Sequence, residues 1–280
     1  MNISIIGLGL IGGSISLALK HRGHKPGRVI GFDSNPGHGN VALRLGLVDE
    51  LMELEQAVEA ADLLIIAIPV DATLHVLPNV LNMVKKQVVM DVGSAKSEIC
   101  KVVQGHANRR RFVASHPMWG TEFSGPAAAR ADSFSGKAAV ICNREDADLD
   151  AVSVVEELYR ALGMHVVFMP AEYHDLHTAY ISHVSHITSF ALANTVLEKE
   201  KEDETIFELA SGGFETTVRL AKSHAAMWVP IFRQNRDNVL DVLNEHITQL
   251  EKFKHCLETE DFKQLETLIS HANTIKRILK

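Results

Sequence analysis

The 280-residue chain is 46% hydrophobic and 22% charged, with a formal net charge of −7. This charge argues against nucleic acid or an anionic membrane as the main partner, because both bind basic surfaces. The cysteines Cys100, Cys142 and Cys256 form no CxxC motif, so neither a disulfide framework nor a zinc–thiolate site is expected. No apolar run reaches the ~20 residues of a membrane span, and the first residues lack the charged segment of a signal peptide. We therefore expect a cytoplasmic protein.

The first 169 residues alternate short apolar runs with helical stretches. Strands are predicted over 2–6, 28–32, 62–68, 87–91, 111–114, 137–142 and 164–169, and helices over 10–22, 39–46, 72–85 and 145–162. Continuous apolar strands that alternate with amphipathic helices predict a mostly parallel, doubly wound sheet covered on both faces. Residues 1–169 are therefore predicted to form a Rossmann-like α/β domain.

The first strand leads directly into GLGLIG, residues 7–12, which opens the first helix. In a dinucleotide-binding turn Gly7 makes the tight bend, Gly9 lets the backbone approach a pyrophosphate, and Gly12 lets helix and strand pack closely. The N–H groups at the helix start, which includes Leu10 and Ile11, would face the phosphates. A glycine turn with a purely structural role is the alternative.

The second strand ends in Asp33, about 20 residues after Gly12, the spacing typical of the acid that binds the adenosine ribose. A carboxylate there accepts hydrogen bonds from both ribose hydroxyls and repels a 2′-phosphate. No arginine follows it, since the next residues are Ser34, Asn35 and Pro36. The sequence therefore favours NAD over NADP as the cofactor.

Residues with catalytic potential follow the later strands. Ligands of a doubly wound sheet bind outside the carboxyl ends of its strands. The candidates there are Pro69 and Asp71 after 62–68, Ser94 and Lys96 in DVGSAK, and His116 in SHPMWGTEFSG. We expect Ser94 and His116 to face the nicotinamide, where hydride transfer needs a general base. An imidazole with the ordinary pKa of about 6–7 suits that task, although a histidine that caps a loop is the alternative.

From residue 170 to 280 the apolar residues recur at helical spacing. Four or five helices are predicted, with a solvated charged turn at 199–204 and a break at 211–214. His183 and His186 share one helix face, with His174 and His177 upstream. A metal is not expected, because histidine pairs spaced i, i+3 without a carboxylate or cysteine triad are weak evidence for a metal site.

Arg219 and Trp228 are the other candidates in this half. Arg219 follows the glycine-rich break, and a guanidinium suits bidentate binding of a carboxylate. A surface arginine is the alternative. Trp228 belongs either to a pocket or to the core.

Taken together, these motifs resemble those of prephenate dehydrogenase and arogenate dehydrogenase. The resemblance covers essentially the whole chain and rests on GLGLIGGS, DVGSAK, SHPMWGTEFSG, HDLHTAYISHVSH, GGFETTVRLAKSHAAMW and the last long helices. It implies that NAD takes hydride from C4 of prephenate while the ring carboxylate leaves as CO₂, giving 4-hydroxyphenylpyruvate in tyrosine biosynthesis. It also implies an all-α dimerisation domain over 170–280, a homodimer, and no metal.

The resemblance also implies roles for individual residues. His116 is similar to the family's catalytic histidine, bonded to the substrate 4-hydroxyl, and Ser94 to the serine that supports it. The substrate would contact Arg219 through a carboxylate, His183 and Trp228 in the pocket, and Glu122 at the pocket mouth.

Other activities fit parts of the sequence. Arogenate differs from prephenate only in an amino group at the side chain, so an arogenate dehydrogenase remains open. A β-hydroxyacid dehydrogenase or imine reductase has the same two-domain layout. The members that oxidise hydroxyacids typically use a lysine on the helical domain, where this chain has histidines and only Lys222 near Arg219. A non-catalytic NAD-binding sensor would have no reason to keep Ser94, His116 and His183 together with that arginine.

Overall fold

The apolar runs of the first half become neighbouring strands of one sheet. The computed structural model describes residues 1–21, 27–201, 208–209 and 211–278. Within them the strands are β1 (Ile3–Ile6), β2 (Val29–Phe32), β3 (Glu50–Leu51), β4 (Leu63–Ile66), β5 (Val88–Asp91), β6 (Phe112–Pro117), β7 (Ala138–Cys142) and β8 (His165–Met169). Their order is β3-β2-β1-β4-β5-β6-β7-β8. The seven strand predictions are confirmed, and only the two-residue β3, with a single apolar residue, escapes sequence analysis.

Pairing sets the direction of the sheet. Strands β1, β4 and β5 are buried along their whole length, as expected for a parallel sheet covered on both faces. The strands from β2 through β1, β4 and β5 to β6 run parallel, so their carboxyl ends lie together. We call this region the carboxyl end of the sheet. Beyond it the direction reverses, because β7 is antiparallel to β6 and β8 is parallel to β7.

Helices cover both faces of the sheet. In this half they are α1 (Leu10–His21), α2 (Pro36–Arg44), α3 (Leu54–Ala60), α4 (Val70–Met83), α5 (Ser97–Val102) and α6 (Leu149–Ala161). Two buried apolar clusters, one on each face, make up the core of this half. Helix α2 begins earlier than predicted, because the Asn35 side chain accepts a hydrogen bond from Gly37 N and so caps it.

The second half is helical, as predicted. Its described helices are α7 (Ala171–Thr178), α8 (Val184–Glu200), α9 (Gly212–Val218), α10 (Ala225–Gln234), α11 (Arg236–Glu258) and α12 (Phe262–Ala272). A π-helical turn over Ala179–His183 and a 3₁₀ turn over Arg219–Lys222 divide the helical pattern further. The described residues of this half therefore contain six α-helices rather than four or five. None of these helices is both long and apolar enough to cross a bilayer.

Two predicted interruptions of the helical half turn out differently. The charged turn predicted at 199–204 begins inside α8, which continues to Glu200, and residues 202–204 lie outside the described residues. The predicted break at 211–214 is confined to Ser211, whose backbone is extended, since α9 starts at Gly212. Two glycines thus begin a helix here instead of interrupting one.

A single residue joins the two halves. Because β7 and β8 run opposite to β6, Met169 lies level with Cys142 and Ala114, away from the carboxyl end of the sheet. Pro170 follows with φ −60°, and the Ala171 N–H donates to Asn143 Oδ1 at 2.8 Å. Helix α7 then leads back towards the carboxyl end of the sheet, where its residues meet those of β6.

Candidate active site

The glycine turn between β1 and α1 leaves room for a diphosphate. Gly7 has φ +97°, and a Cβ there would lie 2.5 Å from the Ala67 carbonyl oxygen. A Cβ on Gly12 would lie 2.1 Å from the Gly7 oxygen, whereas one on Gly9 would meet nothing within 4 Å. The first N–H groups of a helix lack intrahelical partners and attract anions. The open space beside Gly9 therefore fits the pyrophosphate of a dinucleotide.

Asp33 lies beside this turn, at the position where the adenosine ribose of a dinucleotide would bind. Its Oδ2 accepts from Leu8 N at 2.8 Å and its Oδ1 from Asn35 N at 2.9 Å. Each carboxylate oxygen has a second lone pair, so the side chain can still accept from two ribose hydroxyls. His38 Nδ1 lies 3.7 Å from Oδ2. Asp33 thus links the glycine turn to the start of α2.

The other predicted cofactor residues lie around the same turn. Leu10 and Ile11 are the partly buried first residues of α1. Pro69 is exposed and immediately precedes α4, at the carboxyl end of β4. The neighbouring Ile68 packs against Gly7. All three residues therefore lie next to the glycine turn or to the end of the neighbouring strand β4.

His116, at the carboxyl end of β6, is one member of a hydrogen-bonded chain. Its Nδ1 lies 2.9 Å from His174 Nε2, and His174 Nδ1 lies 2.8 Å from Asp175 Oδ1. Asp175 also accepts from the backbone N–H groups of Lys96 and Ser97, each at 2.8 Å. These hydrogen bonds connect the sheet to α7. His116 Nε2 has no hydrogen-bond partner among the described residues and remains available to a ligand.

The surroundings of these three hydrogen-bonded side chains keep the two imidazoles neutral. Burial, together with the neighbouring His174 and Lys96, lowers the pKa of His116 well below its ordinary value. Burial also lowers the pKa of His174, although its hydrogen bond to Asp175 opposes this. The pKa of Asp175 is lowered despite burial, because His174 and the backbone amide of Ser97 favour the carboxylate. The site therefore holds a neutral base above an ionised acid.

A buried ion pair lies beneath His116. Lys96 is fully buried, and its Nζ contacts the Asp91 carboxylate and donates to the Ser115 carbonyl at 2.8 Å. Ser115 N donates to Asp91 Oδ1 at 3.2 Å, and Ser115 Oγ lies 2.7 Å from the hydroxyl of Tyr159. Breaking a buried pair by removal of one partner typically destabilises a protein by about 3–5 kcal/mol. These contacts fix the backbone that carries His116.

Ser94 lies at the same end of the sheet but is not hydrogen-bonded to His116. It follows β5 and is partly buried. Among the described residues no hydrogen bond involves Ser94 Oγ, and the partner of His116 Nδ1 is His174. The structure thus brings both candidates to the carboxyl end of the sheet, while the residue that supports the imidazole comes from α7.

His183 and Trp228 lie together in the helical half. His183 is 1% exposed, and its Nδ1 lies 3.2 Å from Asn235 Nδ2, an amide donor, so the ring proton is on Nε2. Burial lowers the pKa of His183 to about 4. The Trp228 ring stacks on His186 with centroids 3.5 Å apart and lies edge-on to His183. Trp228 Nε1 is buried without a hydrogen-bond partner among the described residues, so its donor capacity is unused.

Arg219 and Glu122 form an ion pair between the two halves. Arg219 Nη1 lies 2.9 Å from Glu122 Oε2, with the arginine half exposed and the glutamate mostly covered. A hydrogen bond from its own backbone and the Arg219 guanidinium lower the pKa of Glu122, although burial opposes them. The glutamate also lines a cleft of about 580 Å³, together with Lys222 and His224. Arg219 is thus accessible to an anion that enters from solvent.

Sequence analysis misses the residues that support these side chains. His174 is considered there only as a metal ligand, and Asp175 and Asn235 are not singled out. Among the described residues no group of three or more His, Cys, Asp or Glu side chains could hold a metal ion. The one signal in the sequence is the HDLH segment, in which the histidine and the acid of the chain of contacts are adjacent.

Comparison with known proteins identifies the family. Residues 15–168 match the family model of the prephenate dehydrogenase nucleotide-binding domain, and residues 170–271 match that of the prephenate dehydrogenase dimerization domain. The prephenate dehydrogenase of Bacillus subtilis is 34% identical over 94% of this chain and 72% of its own. The cyclohexadienyl dehydrogenase of Zymomonas mobilis is 30% identical over 93% of this chain and 89% of its own.

A solved structure agrees with this assignment. The prephenate dehydrogenase from A. aeolicus, in complex with hydroxyphenyl propionate and NAD⁺, superposes with a TM-score of 0.91 at 26% identity. The match covers 100% of this chain and 98% of that one. The chain therefore belongs to the prephenate dehydrogenase family.

Proposed function

We propose that the protein is a prephenate dehydrogenase that uses NAD to convert prephenate to 4-hydroxyphenylpyruvate and CO₂. The observation that carries this proposal is the imidazole of His116, which is hydrogen-bonded through Nδ1 to His174 and has its Nε2 free, at the end of the sheet where the glycine turn opens. The relatives named prephenate dehydrogenase and the A. aeolicus structure with NAD⁺ support it. Asp33 supports NAD rather than NADP.

The chain's own residues supply binding and proton transfer. NAD, when bound, accepts the hydride from C4. His116 Nε2 accepts the proton of the 4-hydroxyl as electron density moves into the ring, and removal of such a base typically slows a reaction about 10²–10⁴-fold. We assign a substrate carboxylate to Arg219, the pocket wall to His183 and Trp228, and the pocket mouth to Glu122. We place Ser94 beside the nicotinamide. Loss of CO₂ makes the ring aromatic, so the step is effectively irreversible.

The test is the formation of NADH with purified protein, followed by absorbance with prephenate or arogenate and with NAD or NADP. Turnover of prephenate with NAD, well above the rate with arogenate, supports the proposal. Faster turnover of arogenate would identify an arogenate dehydrogenase instead. No turnover of either compound, with NAD still bound in a fluorescence titration, would favour a non-catalytic binding protein.

The cofactor assignment has its own test in Asp33→Ser. We expect weaker NAD binding and less discrimination against NADP, because the change removes a ribose acceptor and a negative charge next to the 2′ position. The turnover number should change little. An unchanged NAD/NADP preference would show that another residue, such as His38 at 3.7 Å, sets it.

We also propose a division of labour and an assembly. Residues 1–169 would bind the dinucleotide, and residues 170–280 would complete the substrate pocket and form a homodimer, as the dimerization-domain match over 170–271 supports. We place the protein in the cytoplasm, where its free cysteines would stay reduced. Sedimentation equilibrium tests the dimer, and a monomer at micromolar concentration would contradict it.

A further inference from the structure

We propose that His174 and Asp175 are positioning residues that fix the tautomer of His116, with the proton on Nδ1 and the lone pair on Nε2. The catalytic consequence rests on the proposed function, because only a base needs a free lone pair at that atom. The geometry of the tautomer does not depend on it. Hydrogen bonds connect the Asp175 carboxylate through His174 to His116, whose Nε2 faces away from them.

The carboxylate fixes the first proton. Asp175 Oδ1 receives the Lys96 N–H at 2.8 Å and lies 2.8 Å from His174 Nδ1, while Oδ2 receives the Ser97 N–H. A carboxylate that accepts several N–H hydrogen bonds stays ionised, and an ionised carboxylate can only accept. His174 Nδ1 therefore carries a proton and donates it to Asp175.

The protonation states of His174 Nε2 and of His116 Nδ1 follow because both imidazoles are neutral. A neutral imidazole has one donor and one acceptor nitrogen, so His174 Nε2 must accept. The atom 2.9 Å from it is His116 Nδ1, which therefore donates. The opposite tautomer of His116 would bring two lone pairs together at that distance. His116 Nε2 is left with its lone pair, and no described residue occupies it.

Burial and hydrogen bonds also fix the positions of the His174 and Asp175 side chains. His174 and Asp175 are 1% and 2% exposed, so water cannot compete for their hydrogen bonds. Asp175 is held to the start of α5 by two backbone amides, and its own carbonyl accepts from Asn235 Nδ2 at 2.6 Å. The imidazole of His174 also lies edge-on to that of His116, with centroids 5.1 Å apart. An imidazole that is anchored at one end in this way needs little reorganisation during catalysis.

The kinetic test compares His174→Leu, His174→Gln and a control. Leucine removes the acceptor, and we expect kcat to fall about 10²-fold, the low end of the loss for a general base, with KM for prephenate and Kd for NAD unchanged. Glutamine can still present an acceptor oxygen to His116 Nδ1, so it should retain most of the activity. His177→Gln, on the exposed side of α7, is the matched control and should leave the rate unchanged.

A double-variant cycle distinguishes an effect of His174 that acts through His116 from a general loss of activity caused by the substitution. In the His116→Asn background the base is already gone, so His174→Leu should cause no further loss of kcat. A further loss of the same size in that background would overturn the proposal, because it would show that His174 acts independently of His116. Equal activity of wild type and His174→Leu would overturn it as well.

A spectroscopic measurement tests the tautomer without reference to turnover. In ¹⁵N-histidine-labelled protein, the His116 and His174 signals are assigned by their loss in His116→Asn and His174→Gln. We expect a proton-bearing Nδ1 and an unprotonated Nε2 on both rings, and in His174→Leu a shift of His116 towards the Nε2–H form. A wild-type His116 with its proton on Nε2 would overturn the proposal, even if the enzyme oxidises prephenate. The expected pattern in a protein that fails to oxidise prephenate would instead count against the proposed function alone.

Discussion

His116 can accept a proton only while its imidazole is neutral, and its surroundings keep it so. Burial is the largest influence on its pKa, and the neighbouring His174 and Lys96 act in the same direction. Sequence analysis alone predicts an ordinary histidine, with loss of activity near pH 6–7. The lowered pKa moves this loss to more acidic pH. Under the proposed function, the His116 base would thus stay neutral and able to accept a proton across the whole neutral pH range.

The first prediction concerns this base. His116→Asn keeps the size of the side chain but cannot take the proton, so kcat should fall about 10²–10⁴-fold while the Kd for NAD stays the same. In the wild type, kcat should decline on the acid side only below the ordinary histidine pKa of ~6.5. Rate profiles between pH 4.5 and 8 check this, in buffers of about equal ionic strength. If the variant retains the wild-type acid limb, the base is another group, and His183 is the next to test.

Arg219 gives a second prediction at the same scale. A charge-assisted hydrogen bond contributes about 1.5–3 kcal/mol, so Arg219→Ala should raise KM for prephenate about 10–100-fold without changing KM for NAD. The ion pair with Glu122 is half exposed, and such pairs contribute little to stability, so the thermal midpoint should stay nearly constant. Lys222→Ala, on the same 3₁₀ turn, is the control. An unchanged KM in Arg219→Ala would make this arginine a surface residue.

The sequence predicts which residues lie at the ends of the strands, but it does not predict their hydrogen-bond or stacking partners. His116 follows an apolar run, so topology alone predicts that it lies at the carboxyl end of the sheet. Its partner His174 is 58 positions away along the chain, and no local pattern links the two. The stacking of His186 on Trp228 likewise depends on how α8 and α10 pack. Contacts of this kind arise from tertiary structure alone.

At the scale of elements, the turn from β1 to α1 combines two different uses of glycine. Gly7 and Gly12 are needed by the protein itself, since a Cβ at either position would meet backbone atoms at less than 3 Å. Gly9 is not needed by the protein, because a Cβ there would point into open space. The fold therefore leaves the space beside Gly9 open.

This contrast yields a third prediction. Gly12→Ala should destabilise the fold, because its Cβ would lie 2.1 Å from the Gly7 oxygen. Gly9→Ala should keep the wild-type thermal midpoint but weaken NAD binding, because the methyl group would take up room for the pyrophosphate. Thermal unfolding and NAD titration of both variants check this. Normal NAD affinity in Gly9→Ala would place the diphosphate elsewhere.

The periodicity of the sequence predicts strands better than it predicts helix boundaries. Each predicted strand is a separate apolar run. The runs at 62–68 and 87–91 therefore correspond directly to β4 and β5 in the structure. The helices of the second half share one continuous pattern, and the turns at Ala179–His183 and Arg219–Lys222 interrupt it without glycine or proline. The reversal of β7 is also invisible, because apolar strands look alike in either direction.

For the whole molecule, the buried histidines make stability depend on pH. Burial lowers the pKa values of His116, His174 and His183 in the folded protein, while in the unfolded chain each returns to ~6.5. The unfolded chain therefore binds more protons in acid, and the free energy of unfolding falls as pH falls below ~6.5. For His183 this loss continues down to its folded pKa of about 4.

The fourth prediction measures that dependence. Urea unfolding at fixed protein concentration should show lower stability at pH 5.5 than at pH 7, and one such histidine accounts for up to about 1.4 kcal/mol per pH unit. His183→Gln should reduce the pH slope, whereas His165→Gln, exposed on β8, should not. Equal slopes in all three proteins would mean that His183 is protonated alike in the folded and unfolded states.

The one-residue link at Pro170 has a mechanical consequence. A proline ring fixes φ, the next N–H is held by Asn143, and a few residues later Asp175 is bonded to the start of α5. A joint this short and this tightly held cannot work as a hinge, so the two halves should move as one body. Ligands would then have to enter from solvent past the loop that carries Glu122, which borders a cleft, and not through a separation of the two halves.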